Sequence, residues 1–457
     1  MRRFVRLFQA GCWLMLCSAW IHSAVGQEPP KSSAKGQPER SFARVKRDFQ
    51  QRIRTKKPSD RIAALKMLED FPTGEAAELL YVTLLDDKSA EVRNATADFL
   101  AGWRERSEVT DKLLSRMNSA SRKSGLDLRA VGAIQALAPT EEESLQGKLL
   151  DYLNIYLLQS NANQLALHEM IDTQSVKGDP AETLRTLQLL ARTQLFDQQF
   201  GYRRCVVQGL MEVKNLDGIT ELIHLLPKFR GLVQADVIDH LVAATGQNFG
   251  DDADKWKSWW AENRDKLKVI DRSQSPPIGS FGNVGQYYGI PICAKRIVFV
   301  LDTSLSMRGT RIEAAKTELV RAIHALPQEV SFNVLAFDNV VRPWRTELVP
   351  ATESNKRMAV NVVMEQPLNS RTCSFDALES AFELNPEAIF FLSDGAPLGG
   401  KIDNPAEILA TVGAWNRVRR ISIHSIGVGV RDQGAKVYAD FLKGLAEKNW
   451  GIFKPVN

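Results

Sequence analysis

The sequence predicts two unlike domains in one chain: an α-helical solenoid over residues 41 to 267, then a doubly wound α/β domain over 291 to 457. Three observations carry this. From Phe42 onward, apolar residues recur at helix spacing in one segment after another, with short polar breaks. After about residue 290 the pattern changes to apolar runs of strand length alternating with amphipathic helices. Between the two, residues 268 to 290 are rich in Ser, Pro, Gly and Asn and include Ser275-Pro276-Pro277, the composition of a linker. At 457 residues the chain exceeds one ordinary core, and 44% hydrophobic with 25% charged residues is globular composition.

The first residues read as a secretory signal. Arg2, Arg3 and Arg6 form a positive start, Cys12 to Ala24 is mostly apolar, and Ala24-Val25-Gly26 offers small residues for cleavage. The apolar stretch is shorter than the ~20 residues that span a bilayer. Removal of residues 1 to 26 and export to the periplasm, cell envelope or medium are expected; an uncleaved membrane anchor is the alternative. Residues 27 to 40 read as a flexible leader. Losing the signal removes three arginines and no acids, which takes the formal charge from +5 to +2. So balanced a chain gives no case for nucleic acid as a partner. Cys205, Cys293 and Cys373 remain, an odd and sparse set that argues against a disulfide framework.

In the helical region, Phe42, Val45, Phe49 and Ile53 mark the first helix. Ser59 and Asp60 are candidate caps for the helix bearing Ile62, Leu65 and Leu68. Glu75 to Leu85 is the next helix, followed by Asp86-Asp87-Lys88-Ser89-Ala90-Glu91-Val92-Arg93 and the apolar Ala95, Phe99 and Leu100. That acidic turn, Val-Arg pair and apolar helix resemble the HEAT repeat. Asp87 and Arg93 are placed to bridge adjacent turns, and weaker echoes follow at 126–137, 181–195, 202–226 and 235–244. An irregular helical domain is the competing reading. Gly250-Asp251-Asp252-Ala253-Asp254 lacks the alternating oxygen ligands and closing Glu of a calcium loop. It reads instead as the capped start of a terminal helix bearing Trp256, Trp259 and Trp260.

In the second domain, strands are expected near 296–301, 330–337, 340–348, 387–392, 421–428 and 450–454. Helices are expected near 310–325, 354–365, 374–384, 405–417 and 435–447. Sites in such sheets form at the carboxyl ends of strands. Three loops there carry the oxygen ligands that a hard cation takes. Asp302-Thr303-Ser304-Leu305-Ser306 follows the run Ile297 to Leu301, Thr372 precedes the helix at Phe375, and Asp394 follows Ala388 to Leu392 as Ser393-Asp394-Gly395.

Strand, D-x-S-x-S, a later Thr before a helix, then strand-Ser-Asp-Gly: over residues 290 to 457 this resembles the von Willebrand factor type A (VWFA) domain and its metal-ion-dependent adhesion site. The resemblance implies a Rossmann-like fold and a bound Mg²⁺ or Mn²⁺. It assigns Ser304 and Ser306 as direct ligands, Thr372 as a ligand directly or through water, and Asp302 and Asp394 as holders of coordinated water. It implies a protein partner that presents an Asp or Glu carboxylate. Arg371 stands where the family usually has glycine, a place that favours positive φ.

No other motif competes. His168-Glu169 lacks the second His of a zinc-protease helix, and neither a Gly-x-Ser-x-Gly elbow nor a phosphate-binding loop is present. The expected function is therefore non-enzymatic binding. The alternatives are an accessory subunit docking on an enzyme or ATPase encoded elsewhere, and a hydrolase whose site has no recognisable motif.

Overall fold

The computed structural model describes residues 41–120, 127–267, 285–429 and 436–456. The expected signal, the leader and most of the linker lie outside the described residues. Among the described residues no helix is long and apolar enough to cross a membrane.

The first unit is helical from Phe42–Arg52 to Ala253–Asn263. Its apolar stripes merge into one continuous core that runs from Val45 to Trp260. Alternate helices stack: Gly74–Thr83 on Ser107–Ala120, and Ala90–Ala101 on Leu128–Leu137. Each helix therefore buries its stripe against a near neighbour, which is solenoid packing. Two local expectations are corrected. The second helix starts at Pro58, with Lys57 as N-cap and no side-chain cap, because proline's fixed φ suits the first helical position. The Asp87 carboxylate pairs with Arg61 of that helix (2.7 Å), while Arg93 bonds the Asp87 backbone carbonyl at 2.6 Å. Asp252 does cap the Trp-bearing helix, accepting the N–H of Lys255, and Trp256 and Trp260 are buried there.

The second unit contains β1 (Gln286–Tyr287), β2 (Ile290–Pro291), β3 (Arg296–Asp302), β4 (Ser331–Phe337), β5 (Val341–Pro343), β6 (Val349–Pro350), β7 (Ala388–Ser393), β8 (Ser422–Val428) and β9 (Phe453–Val456). The stretch expected to end the linker is the β1–β2 hairpin instead, folded onto the domain because Tyr287 and Ile290 have core to bury into. β4, β3, β7, β8 and β9 lie side by side in parallel, and β5 and β6 add antiparallel to β4. The strand expected at 340–348 is split into these two short edge pieces, the first ending at Pro343, which has no N–H to offer a ladder.

The sheet is covered on both faces, as its near-continuous apolar strands require. Ile297, Phe299 and Leu301 pack in one core with Leu319, Ala322, Ala359 and Val363 from two covering helices. Val298 and Val300 pack in the other with Leu378, Val412 and Leu445. Register sets Phe299 between Val334 and Phe390.

The helical unit docks at the amino ends of these strands. Arg420, just before β8, is buried among helical-unit residues and donates to Gln208 (2.7 Å) and Asp172. Arg204 donates to the Arg420 carbonyl at 2.6 Å and pairs with Asp236 at 2.8 Å. His168 Nδ1 lies 3.2 Å from the Arg417 carbonyl. Gly201 is needed for the approach: a Cβ there would stand 2.2 Å from the Val418 carbonyl oxygen.

Candidate metal centre

The three loops singled out by sequence all lie at the opposite, carboxyl edge of the sheet. β3 ends at Asp302 and β7 at Ser393, paired in register one strand apart, so the loops that follow are brought together. Asp302 is fully buried and both its oxygens are engaged: Oδ1 accepts the Ser304 N–H at 2.8 Å and Oδ2 the Ser393 hydroxyl at 2.5 Å. Burial pushes its carboxyl up to about 6, against the lowering effect of the two serines and with Asp394 adding to the rise. A cation beside it opposes that burial cost.

Ser304 Oγ and Ser306 Oγ are 2.9 Å apart, and Ser306 Oγ donates to Asp394 Oδ1 at 2.8 Å. The other Asp394 oxygen takes the Arg311 guanidinium at 2.8 Å. Thr372 is buried, with its backbone bonded both ways to Leu398 at 3.1 and 3.0 Å. Its loop is tied to the first by Asn369, whose N–H donates to the Thr303 carbonyl at 3.1 Å. Ser374 Oγ, two residues beyond Thr372, is buried with no hydrogen-bond partner among the described residues. Arg371 has a φ of 73°, the left-handed conformation anticipated for a glycine position.

The donors fit a small hard cation: two neutral hydroxyls in contact, two carboxylates and an all-oxygen set. Among the described residues no three His, Cys, Asp or Glu side chains converge on one point. A cation here would therefore rest on hydroxyls rather than on a carboxylate cage.

Sequence reasoning missed the brace beneath the site. Asp338, fully buried after β4, accepts from Thr303 Oγ1 (3.1 Å), from Asn369 Nδ2 (3.1 Å) and from Arg342. Against the burial that would raise it, Arg342 and Asn369 hold its carboxyl below the usual value. Its backbone carbonyl also receives the Cys373 N–H at 2.8 Å, so one residue fixes the first two loops. The available signal was an acid directly after the apolar run Val334 to Phe337, at the same strand end as Asp302. Cys373 is buried in this region and Cys293 lies at the other end of β3; both are free, as is Cys205.

This fold and these loops define a class: residues 295–454 match the family model described as von Willebrand factor type A domain, and the second unit is a domain of that type. Two relatives align with it. The chain is 36% identical over 182 residues to inter-alpha-trypsin inhibitor heavy chain H3 of Bos taurus, covering 37% of this chain and 20% of that one. It is 28% identical over 180 residues to inter alpha-trypsin inhibitor, heavy chain 4 of Mus musculus, covering 36% and 18%. The chain thus spans about a fifth of the length of these curated relatives. A solved von Willebrand factor type A structure from Catenulispora acidiphila aligns with a TM-score of 0.32 at 20% identity, covering 36% of this chain and 40% of that one.

Proposed function

We propose that this chain is an exported, non-enzymatic interaction protein whose VWFA domain binds a carboxylate of a partner protein through a divalent cation. The observation that carries the reading is the contact chain Ser304–Ser306–Asp394, which joins loops 88 residues apart at the edge of the sheet remote from the helical unit. Its support from kinship is that domains of this type generally mediate protein–protein interaction.

Ser304 and Ser306 would hold Mg²⁺ or Mn²⁺ directly, Thr372 directly or through water, and Asp302 and Asp394 through waters. Neutral hydroxyls leave such an ion under-neutralised, so it supplies an open position that attracts one carboxylate oxygen. The chain's own residues do the positioning. Ser393 and the Ser304 N–H pin Asp302, Arg311 fixes the rotamer of Asp394, and Asp338 holds the Thr372 loop against the Ser304 loop. The helical solenoid serves as the scaffold that carries the site.

Titration of the mature chain with Mn²⁺, followed by electron paramagnetic resonance, tests this. One bound ion, displaced by excess Mg²⁺, is expected. A chain that leaves millimolar Mn²⁺ free sinks the reading. Export is tested separately: protein recovered from the cell envelope or medium should begin at Gln27.

A further inference from the structure

Arg371 is unfavourable where it stands. Its φ of 73° lies in the left-handed region, where a side chain with a Cβ is crowded and glycine is not. The loop imposes this conformation, because Thr372 is fastened on Leu398 and Asn369 on Thr303. The arginine side chain then runs along the neighbouring loop: a Cβ added to Gly399 would stand 3.0 Å from Nη1 and 3.2 Å from Cδ. Strained residues persist where the surroundings hold them, and they gather at functional sites.

Three other cations around these loops are neutralised, while Arg308, beyond Ser306 on the first loop, is exposed like Arg371 and without an ion pair among the described residues. Arg311 is paired with Asp394, Arg342 with Asp338 and Lys401 with Glu379. Arg371 is exposed and forms no ion pair among the described residues. Beside it lies a recess of about 580 Å³, lined in part by Arg371, Val340 and Lys401 and by Asp376 and Glu379, which are engaged by the backbone N–H and the ammonium of Lys401 respectively. Leu305 and Leu398, exposed by 44% and 63%, stand on the first and third loops, and Val340, exposed by 50%, on the adjoining turn between β4 and β5. A free guanidinium next to Thr372, with apolar side chains around it, complements an acid accompanied by an apolar group. The planar fork of arginine suits a carboxylate in particular.

We propose that Arg371 is a specificity residue that receives a second carboxylate of the partner, an inference that rests on the cation-mediated reading above. The partner segment carries two acids close in sequence, one for the cation and one for Arg371, with an apolar side chain that packs against Leu398. An isolated Asp or Glu satisfies only half of the surface.

The test uses the mature chain in millimolar Mn²⁺ and a labelled peptide, Gly-Asp-Leu-Glu-Gly, beside versions with either acid or both replaced by the amide. Wild type should bind the two-acid peptide about fivefold more tightly than either one-acid peptide, the size of a partly exposed charge-assisted contact. R371Q should remove that preference while keeping the Mn²⁺-dependent rise in melting temperature, and R371K should retain part of it. Equal binding of all peptides by wild type, binding of none, or a preference that survives R371Q overturns the proposal. The two readings fail separately. No Mn²⁺ response with an Arg371-dependent preference sinks the cation and leaves Arg371. A Mn²⁺ response with no preference does the reverse.

Discussion

Arg420 Nη2 touches both carboxylate oxygens of Asp172, at 2.8 and 2.6 Å, across 248 residues of sequence. The guanidinium is also 5.1 Å above the Trp450 ring, and only 4% of Arg420 is exposed. Its backbone caps the helix Pro405–Arg419 in a left-handed conformation, φ 54°. One residue thus ends a helix of one unit and anchors the other. Arg420→Ala should cost about 2–4 kcal/mol in urea unfolding, since it removes a buried side chain that packs on Trp450 and donates to Gln208 and Asp172. Asp172→Asn should cost less, about 1 kcal/mol, because Asp172 is 55% exposed. Equal losses in the two variants would contradict this account of the junction.

The junction should weaken in acid. Burial, with Arg420 adding to it, lowers His168 to about 4, and burial lowers His424 to about 3. The charges that face His168 are Arg420, which disfavours its protonation, and Asp172, which favours it. Both histidines titrate near 6.5 when unfolded. Protons therefore go to the unfolded chain first, and stability falls as pH drops from about 6.5 toward 4. His168 alone contributes about 3 kcal/mol over that window. Urea midpoints measured from pH 7 to 4.5 should decline, and His168→Gln should flatten the decline in part. A slope unchanged by that substitution would assign it to other groups.

Cation binding should stabilise the domain by ~2.7 kcal/mol at one hundred times the dissociation constant, or roughly 5–10 °C in melting temperature for a domain of this size. Asp302→Ala and Asp394→Ala should abolish the shift, whereas Thr372→Ala should only reduce it. Asp302→Ala also leaves the Ser304 N–H and the Ser393 hydroxyl without their buried acceptor, at a cost of about 1–3 kcal/mol, so the shift is read against each variant's own cation-free melting temperature. A full Mn²⁺ shift in Asp302→Ala, read by scanning calorimetry, would argue against the assigned roles.

Asp338→Asn keeps the shape of the brace and removes its charge. Arg342 then loses its carboxylate and the Thr372 loop loses part of its hold. Mn²⁺ affinity should fall by tenfold or more although Asp338 is not a proposed ligand. An affinity equal to wild type would mean that the loops keep their places without it.

What could be read in the sequence follows from range. β3, β7 and β8 announce themselves by unbroken apolar runs, and Asp302, Ser304, Ser306 and Asp394 each follow such a run within a few residues. The contacts of Asp338 with Asn369 span 31 residues and depend on how β4 registers against β3, which no local pattern encodes. Asp87 shows the same limit: an arginine six residues away was the visible partner, yet its carboxylate goes to Arg61 on the helix that starts at Pro58, beyond the helix Gly74–Thr83. The junction was illegible because Arg204, Arg420 and Asp172 look like ordinary surface charges until two units meet.

β3 has its amino end at the junction and its carboxyl end at the Ser304 loop. Its seven residues, at ~3.3 Å each, make the sheet a rigid spacer of about 20 Å. Whatever sits on the loops is held clear of the solenoid, so both surfaces can be occupied at once without competing for space. Along that length Phe299 and Phe390 pack against each other in a fixed register. Shifting that register by one residue would turn the strand's core face to the other side. The two ends are therefore joined by a strand whose length and register are both set.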